Sequence, residues 1–235
     1  MDVALRAINE TIRSVPSGKA EIGALYPKEY FGDIEEFARE IADLNRHMRP
    51  LVEVSGDVGS PILVSLETGT FEVFLTVGTA TGAILATIVW RLLRTWKQIE
   101  EIRKLRAETR KIDAEASELL EKRAQRQREE AVERINKEIM GQCDESIDVT
   151  RRNELAILVR QSIGYVDARI QLNVLFEVAP SEMPPRQTPT GEREAKETRL
   201  IRERGAAMWE IQASMERRLL VAENDKEVVP LNDGT

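Results

Sequence analysis

An α+β fold, predominantly helical, is predicted by three features of the 235-residue sequence. One is an amphipathic stripe at helical spacing in "DIEEFAREIADLNRHM", residues 33–48. Another is a change of rhythm to short apolar runs, "LVEVS" and "ILVSL", separated by "GDVGSP". The third is a stretch from Ala83 to Met140 without a single Gly or Pro. Together they predict a small antiparallel sheet with helices packed on it and one very long helix.

In residues 1–28, Ala4, Leu5, Ile8 and Ile12 recur at helical spacing and Pro16 stops the pattern. An N-terminal helix followed by a linker is expected there. Residues 29–72 hold a helix and a β-hairpin. The helix sets Ile34, Phe37, Ala38, Ile41 and Leu44 or Asn45 on one stripe, with acids in its first turn where the helix dipole favours them. The hairpin, within 51–66, pairs 51–55 with 62–66. Gly56 and Gly59 can take the backbone of a tight connection, and Pro61 opens the second run, where a missing N–H is tolerated.

Residues 73–140 are expected to form an apolar helix continuing into a charged one; its Gly- and Pro-free run from Ala83 to Met140 is 58 residues, about 87 Å at ~1.5 Å per residue if it is a single helix. Past Trp96 the seam thins to Ile99, Ile102, Thr109, Ile112, Ala116, Leu119 and Leu120. Pairs such as Glu100 with Lys104 and Glu130 with Arg134 have the favourable i,i+4 order and support a helix in solvent. In residues 141–179, Leu155, Leu158, Val159, Ile163, Val166 and Ile170 read as a helix capped by Thr150 or Asp148. A strand over 171–178 follows, in which Leu172, Val174, Phe176 and Val178 alternate with their neighbours and complete the sheet. Residues 180–191 carry Pro180, Pro184, Pro185 and Pro189, the composition of an extended linker. A C-terminal helix and tail occupy 192–235, with Ala206, Trp209, Ile211, Met215 and Leu219 on an apolar side.

A net charge of −7 argues against a chain built as a nucleic-acid binder. Cys143 and His47 are the only residues of their kinds, which leaves no internal disulfide and no zinc site of the usual Cys/His type. "SGKA" at 17–20 lacks both the upstream glycine and the Ser/Thr of a phosphate-binding loop. His47 reads as a structural or surface residue, and the acids beside Cys143 would raise its pKa rather than activate it. No catalytic, cofactor-binding or metal-binding residue is expected, and no small-molecule substrate: the chain reads as a non-enzymatic protein.

Its candidate functional surface is the 73–120 helix. Val73 to Trp90 carries no formal charge, and Gly78 and Gly82 form a Gly-x-x-x-Gly step that lets helices approach closely. An assembly interface of Gly78, Gly82, Ala83, Thr87, Ile99, Ile102 and Ile112 is expected, giving a homo-oligomer or a complex with a protein partner in the cytoplasm. The alternative is a single membrane span over 73–90. Its basic flank, 91–111, would lie on the cytoplasmic side, with Arg91, Arg94, Lys97, Lys104 and Arg106 against lipid phosphates. Nucleic-acid backbone is a second alternative for the same five cations. Acids interspersed among them favour a solvated helix face instead.

The order of strand, "GSP" turn at 59–61, strand, apolar helix, long charged helix, helix and strand resembles a pattern in uncharacterised bacterial proteins. It is similar to the small α+β adaptor domains of the TRADD-N type associated with bacterial conflict systems. That resemblance, over residues 30–180, implies an interaction module that couples assembly to an effector or a membrane; it implies no site residues.

Overall fold

The computed structural model describes residues 18–27, 29–57, 59–67, 71–108, 114–180 and 189–227. The fold is α+β: among the described residues, five helices accompany a four-stranded antiparallel sheet. In chain order these are β1 (Lys19–Tyr26), α1 (Ile34–Ser55), β2 (Ile62–Glu67), β3 (Phe71–Gly78), α2 (Thr79–Glu108), α3 (Ala114–Met140), α4 (Val149–Gln171), β4 (Leu175–Pro180) and α5 (Pro189–Glu227). The sheet order is β2-β3-β1-β4.

The first strand of the chain is therefore an inner strand, pairing β3 on one side and β4 on the other. Alternation explains why. Ala20, Ile22, Ala24 and Tyr26 face the core and lie opposite Val77, Leu75, Val73 and Phe71 of β3. On the other side, Ile22 and Ala24 face Val178 and Phe176 of β4. The expected linker in 1–28 is thus a strand over 19–26, while the expected helix over 1–15 lies outside the described residues.

The expected hairpin is also corrected. Residues 51–55 are the last turns of α1, and β2 pairs with β3 instead, its register shifting between Leu63 and Ser65. Val52 and Val54 favour strands in isolation, but Leu44, Met48, Leu51, Val52 and Val54 together keep a helical stripe buried. Pro50 removes one donor within α1 without ending it. The helix stops at Gly56, whose left-handed φ of 71° places its N–H 3.2 Å from the Glu53 carbonyl. At its start, the Asp33 carboxylate accepts from the Glu36 N–H at 2.8 Å, while the Glu36 carboxylate accepts from Gly32 N–H at 2.7 Å.

The long helix expected over 73–140 divides. Val73–Gly78 belongs to β3, where Val73, Leu75 and Val77 alternate into the core. The remainder is two helices, α2 and α3, which pack together, with 109–113 outside the described residues. A charge-free run from Val73 to Trp90 had merged the end of a strand with the start of a helix. The strand expected at 171–178 begins later, at Leu175, because α4 extends to Gln171 and Asn173 turns the chain with φ 60°. Asp148, one of the two expected caps, accepts from Thr150 N–H at 2.8 Å. The expected linker is shorter than 180–191: Pro180 closes β4, α5 opens at Pro189, and 181–188 lie outside the described residues.

α2 enters the core end-on from β3. Asp57 receives its first turn, its carboxylate accepting from Thr81 N–H at 2.8 Å and from the Thr81 hydroxyl. A Cβ at Gly78 would stand 2.0 Å from the Asp57 carboxyl carbon, and one at Gly82 would stand 2.6 Å from Ala20 Cβ on β1. α5 closes the exposed edge of β4: the Gln212 side-chain amide accepts from Phe176 N–H at 3.1 Å and donates to Phe176 O at 3.2 Å. A side chain there takes the place of a fifth strand.

Gly82→Ala is expected to lower stability by about 1–3 kcal/mol, because two packed backbones must separate. Gly164→Ala, on α4 with open space around it, is expected to raise stability by about 0.5–1 kcal/mol. Urea denaturation of both variants checks the contrast. Equal effects would mean that close approach at position 82 is not what requires glycine.

Candidate functional site: a charged helical arm and a buried carboxylate

The first half of α2 is the most buried helical segment among the described residues. Thr79 to Val89 are all buried, and Leu92, Leu93, Trp96 and Ile99 continue the same face. α3 covers it with Ala124, Ala131, Ile135 and Ile139. Gly82, Ala83, Thr87 and Ile99, expected at an assembly interface, thus lie inside this chain's own core, with Thr87 Oγ1 donating to Ala83 O at 2.7 Å. Gly78 and Gly82 do not share a helix, since Gly78 ends β3, so the expected Gly-x-x-x-Gly step does not exist as a helical surface. Among the described residues, no helix is long and apolar enough to cross a membrane. The span expected over 73–90 is excluded directly: its first six residues are a strand and the rest is packed among protein.

Beyond Ile99 and Ala124 the two helices run on as a charged arm. From Ile99 to the end of α2 at Glu108 is nine residues, about 14 Å of rise. Arg103 braces it, donating to Glu100 at 2.9 Å on its own helix and to both carboxylate oxygens of Glu121 on α3, at 3.0 and 3.1 Å. Among the described side chains of this arm, two large apolar ones stand exposed: Ile102 at 39% and Leu119 at 59%. Ile102 is the one expected interface residue that the structure places at the surface; Ile112 lies outside the described residues.

The five cations expected to contact phosphate do not make one uniform patch. Arg91 is held by Glu138 of α3 at 2.6 Å. Arg94 stacks over the Trp90 ring at 5.7 Å, and Arg204 of α5 approaches the same ring at 5.4 Å. Lys97 is half-buried on α2, and Lys104 and Arg106 fall in the last turns of α2.

The densest polar cluster is one that sequence reasoning did not single out. Glu40, 7% exposed, sits on α1 among the apolar stripe, and its carboxylate gathers three side chains from two other elements. Arg169 of α4 donates Nε to Oε1 at 2.7 Å and Nη2 to Oε2 at 2.6 Å. Tyr165 of α4 and Tyr26 of β1 donate their hydroxyls to Oε1 at 2.6 and 3.3 Å. Burial acts to raise the Glu40 pKa, but the guanidinium and the phenols outweigh it and hold the carboxyl below its ordinary 4.5. Burial, reinforced by the charge on Glu40, pushes both phenols up, so they remain donors. His47 stacks on the Tyr165 ring at 4.5 Å, with Arg169 4.2 Å from that ring's centre, and burial lowers the imidazole pKa. A shallow cleft of 650 Å³ lined by Tyr30, Phe31, Arg39 and Asn173 opens beside the cluster. Because Glu40 spends both oxygens on internal donors, the arrangement ties β1, α1 and α4 together and presents no poised base. The signal for it was a glutamate at the buried side of a helix, between Phe37, Ile41 and Leu44.

Among the described residues, no group of three or more His, Cys, Asp or Glu side chains could hold a metal ion. Comparison with known proteins found no matching family model, no matching curated protein and no matching solved structure.

Glu40→Gln is expected to destabilise the fold by about 3–5 kcal/mol near neutral pH, since Arg169 would keep its charge in a site that is 19% exposed without a counter-ion. The pH dependence has a definite sign. With its folded pKa below 4.5, Glu40 contributes fully above the ordinary carboxyl range and loses that contribution as pH falls through its folded value. Thermal melts of the wild type and Glu40→Gln should therefore converge as the pH is lowered through the folded pKa of Glu40, below the ordinary carboxyl range. Parallel profiles would show that Glu40 is not ionised in the fold.

Proposed function

We propose that this chain is a non-enzymatic adaptor or scaffold that self-associates through the far ends of α2 and α3, residues 100–108 and 114–121, and not through the apolar half of α2. The observation that carries this reading is the pair Ile102 and Leu119. They lie outside the buried apolar cluster, yet they stand exposed on two helix ends that the Arg103–Glu121 contact braces together. Water contact costs each of them, and burial against a second helix would return roughly half of the ~1.5–3 kcal/mol that a fully exposed side chain gains, less for Ile102 than for Leu119. A mixed-sign surface around such apolar positions suits helix–helix pairing, in which charges select the register. The similarity to TRADD-N-type adaptor domains supports the adaptor part of the reading through the helices that follow "GSP", not through the element before it, because 51–55 is helical.

Ile102→Asp combined with Leu119→Asp should convert an assembly heavier than 26.6 kDa into a monomer while leaving the far-ultraviolet spectrum unchanged. Sedimentation over a range of concentrations makes the measurement. A wild type that stays monomeric at the highest concentration, or a double variant that keeps the larger mass, would remove the arm as the contact.

A further inference from the structure

An open slot of 360 Å³ runs between β4 and α5, along the edge of the sheet. Its walls follow from the phase of α5. Ile201 and Met208, seven residues apart, turn into the core and are buried, so the residues that follow each of them, Arg202 and Trp209, stand on the rim of the slot. Across from them lie Leu175 of β4 and Leu25 of β1, partners in register. The helix runs antiparallel to the strand: Gln212 is bonded to Phe176, whereas a Cβ on Gly205 would stand 3.4 Å from Val178 O. Arg202 therefore marks the Pro180 end of the slot, and Leu25, Leu175 and Trp209 line the other end.

The dimensions select the shape of a ligand. The lining reaches from Ile201 to Gln212 on α5, roughly 16 Å at ~1.5 Å per residue, and along all six residues of β4. A volume of 360 Å³ over that length leaves a section of about 22 Å², enough for one extended hydrocarbon chain and far too little for a helix. The same volume equals about a dozen water-sized units at ~30 Å³ each. Charge selects the head group. The residues three and four positions from Arg202 on its own helix are Thr198, Arg199, Gly205 and Ala206, none of them acidic, and the adjacent Glu203 is paired with Arg199 at 3.5 Å. Glu177 is the acid on the lining, and burial, ahead of the charges of Glu21 and Glu72, raises its pKa, as a wall of low polarity would.

We propose that this slot binds the free anion of a medium-chain fatty acid, its carboxylate on the Arg202 guanidinium at the Pro180 end and its tail passing Trp209 toward Leu25 and Leu175. A guanidinium fork matches a carboxylate in shape and charge, and the tail leaves water for an apolar lining. The ligand is held without any covalent step. The slot lies on β4 and α5, away from the far ends of α2 and α3, so its occupancy is independent of self-association through the arm.

Equilibrium dialysis of the full chain against labelled decanoate, a ligand of about a dozen non-hydrogen atoms, kept below its micellar concentration, tests this. Saturation at one decanoate per chain is expected. Arg202→Gln should weaken binding at least about tenfold, Arg202→Lys should weaken it less, and decan-1-ol should compete at least about tenfold more weakly than unlabelled decanoate. Ala206→Phe should abolish binding by filling the slot. Sedimentation of these variants should match the wild type, which separates a failure of the slot from a failure of the arm. Absence of saturable binding would overturn the proposal. Equal competition by decan-1-ol, or an unchanged affinity in Arg202→Gln, would reduce the slot to apolar partitioning and equally overturn it. Affinity that keeps rising from decanoate to hexadecanoate would show a surface without a closed end and contradict the assigned orientation. Should Ala206→Phe fail to fold, iodide quenching gives an independent reading: decanoate should shield tryptophan fluorescence in the wild type and not in Trp209→Phe, and shielding that is absent, or that persists in the variant, contradicts the site.

Discussion

Helix α2 can reach the sheet only because position 82 has no side chain. A methyl group there would stand 2.6 Å from the Ala20 methyl, well inside van der Waals contact. That one approach sets the level at which every other layer sits. α3 lies on the face of α2 away from the strands, α5 beside it along β4, and α1 and α4 complete the ring around the same apolar cluster. The start of the helix is fixed with equal economy: the Asp57 carboxylate takes the Thr81 N–H and hydroxyl while Ser55 Oγ lies 2.8 Å from Thr81 Oγ1. The small-residue run at 78–83 therefore serves contact between a helix and a sheet within one chain.

Polar groups in this core are concentrated where helices must be held at a particular rotation. Glu40 binds α1 to α4 and β1, and Trp96 Nε1 donates to Asp167 Oδ1 at 2.8 Å to bind α2 to α4. An apolar interface tolerates sliding by a turn; a bidentate guanidinium–carboxylate pair does not. The two contacts sit on the same helix, α4, and are separated along it by less than one turn. α4 thereby acts as the ruler against which α1 and α2 are aligned.

Much of this architecture could be read from the residues, and the failures have physical causes. The α1 stripe, the acids at its start and the Asp148 cap are local signals, expressed within one turn of the chain. The sheet was partly hidden because two of its strands imitate something else. "KAEIGALY" looks like a linker between Pro16 and Pro27, although Ala20, Ile22, Ala24 and Tyr26 alternate without fault. "FEVFLTVG" is buried on both faces, so its period of two is masked by Phe74 and it merges with the helix that follows. "LVEVS" was misread in the other sense: β-branched residues with strand propensity were kept helical by tertiary packing. For the candidate site, the basic residues after Trp90 were visible, but not that Glu138 would engage Arg91, or Arg204 approach the Trp90 ring, from other helices. Glu40 was invisible for a similar reason, since its two partners on α4 are 125 and 129 residues away.

The Gln212 amide on the edge of β4 has a consequence for biosynthesis. Residues of β4 pair with β1, which has already left the ribosome, but the outward N–H and C=O of Phe176 find their partner only when residue 212 emerges, 36 positions later. At roughly 5–20 residues per second this interval is about 2–7 s. During it the β4 edge of the nascent sheet lacks that partner, and an unpaired strand edge is the geometry that recruits strands from other molecules. The window closes when α5 swings onto the edge, so the timing of translation through 181–211 sets how long each new molecule remains adhesive.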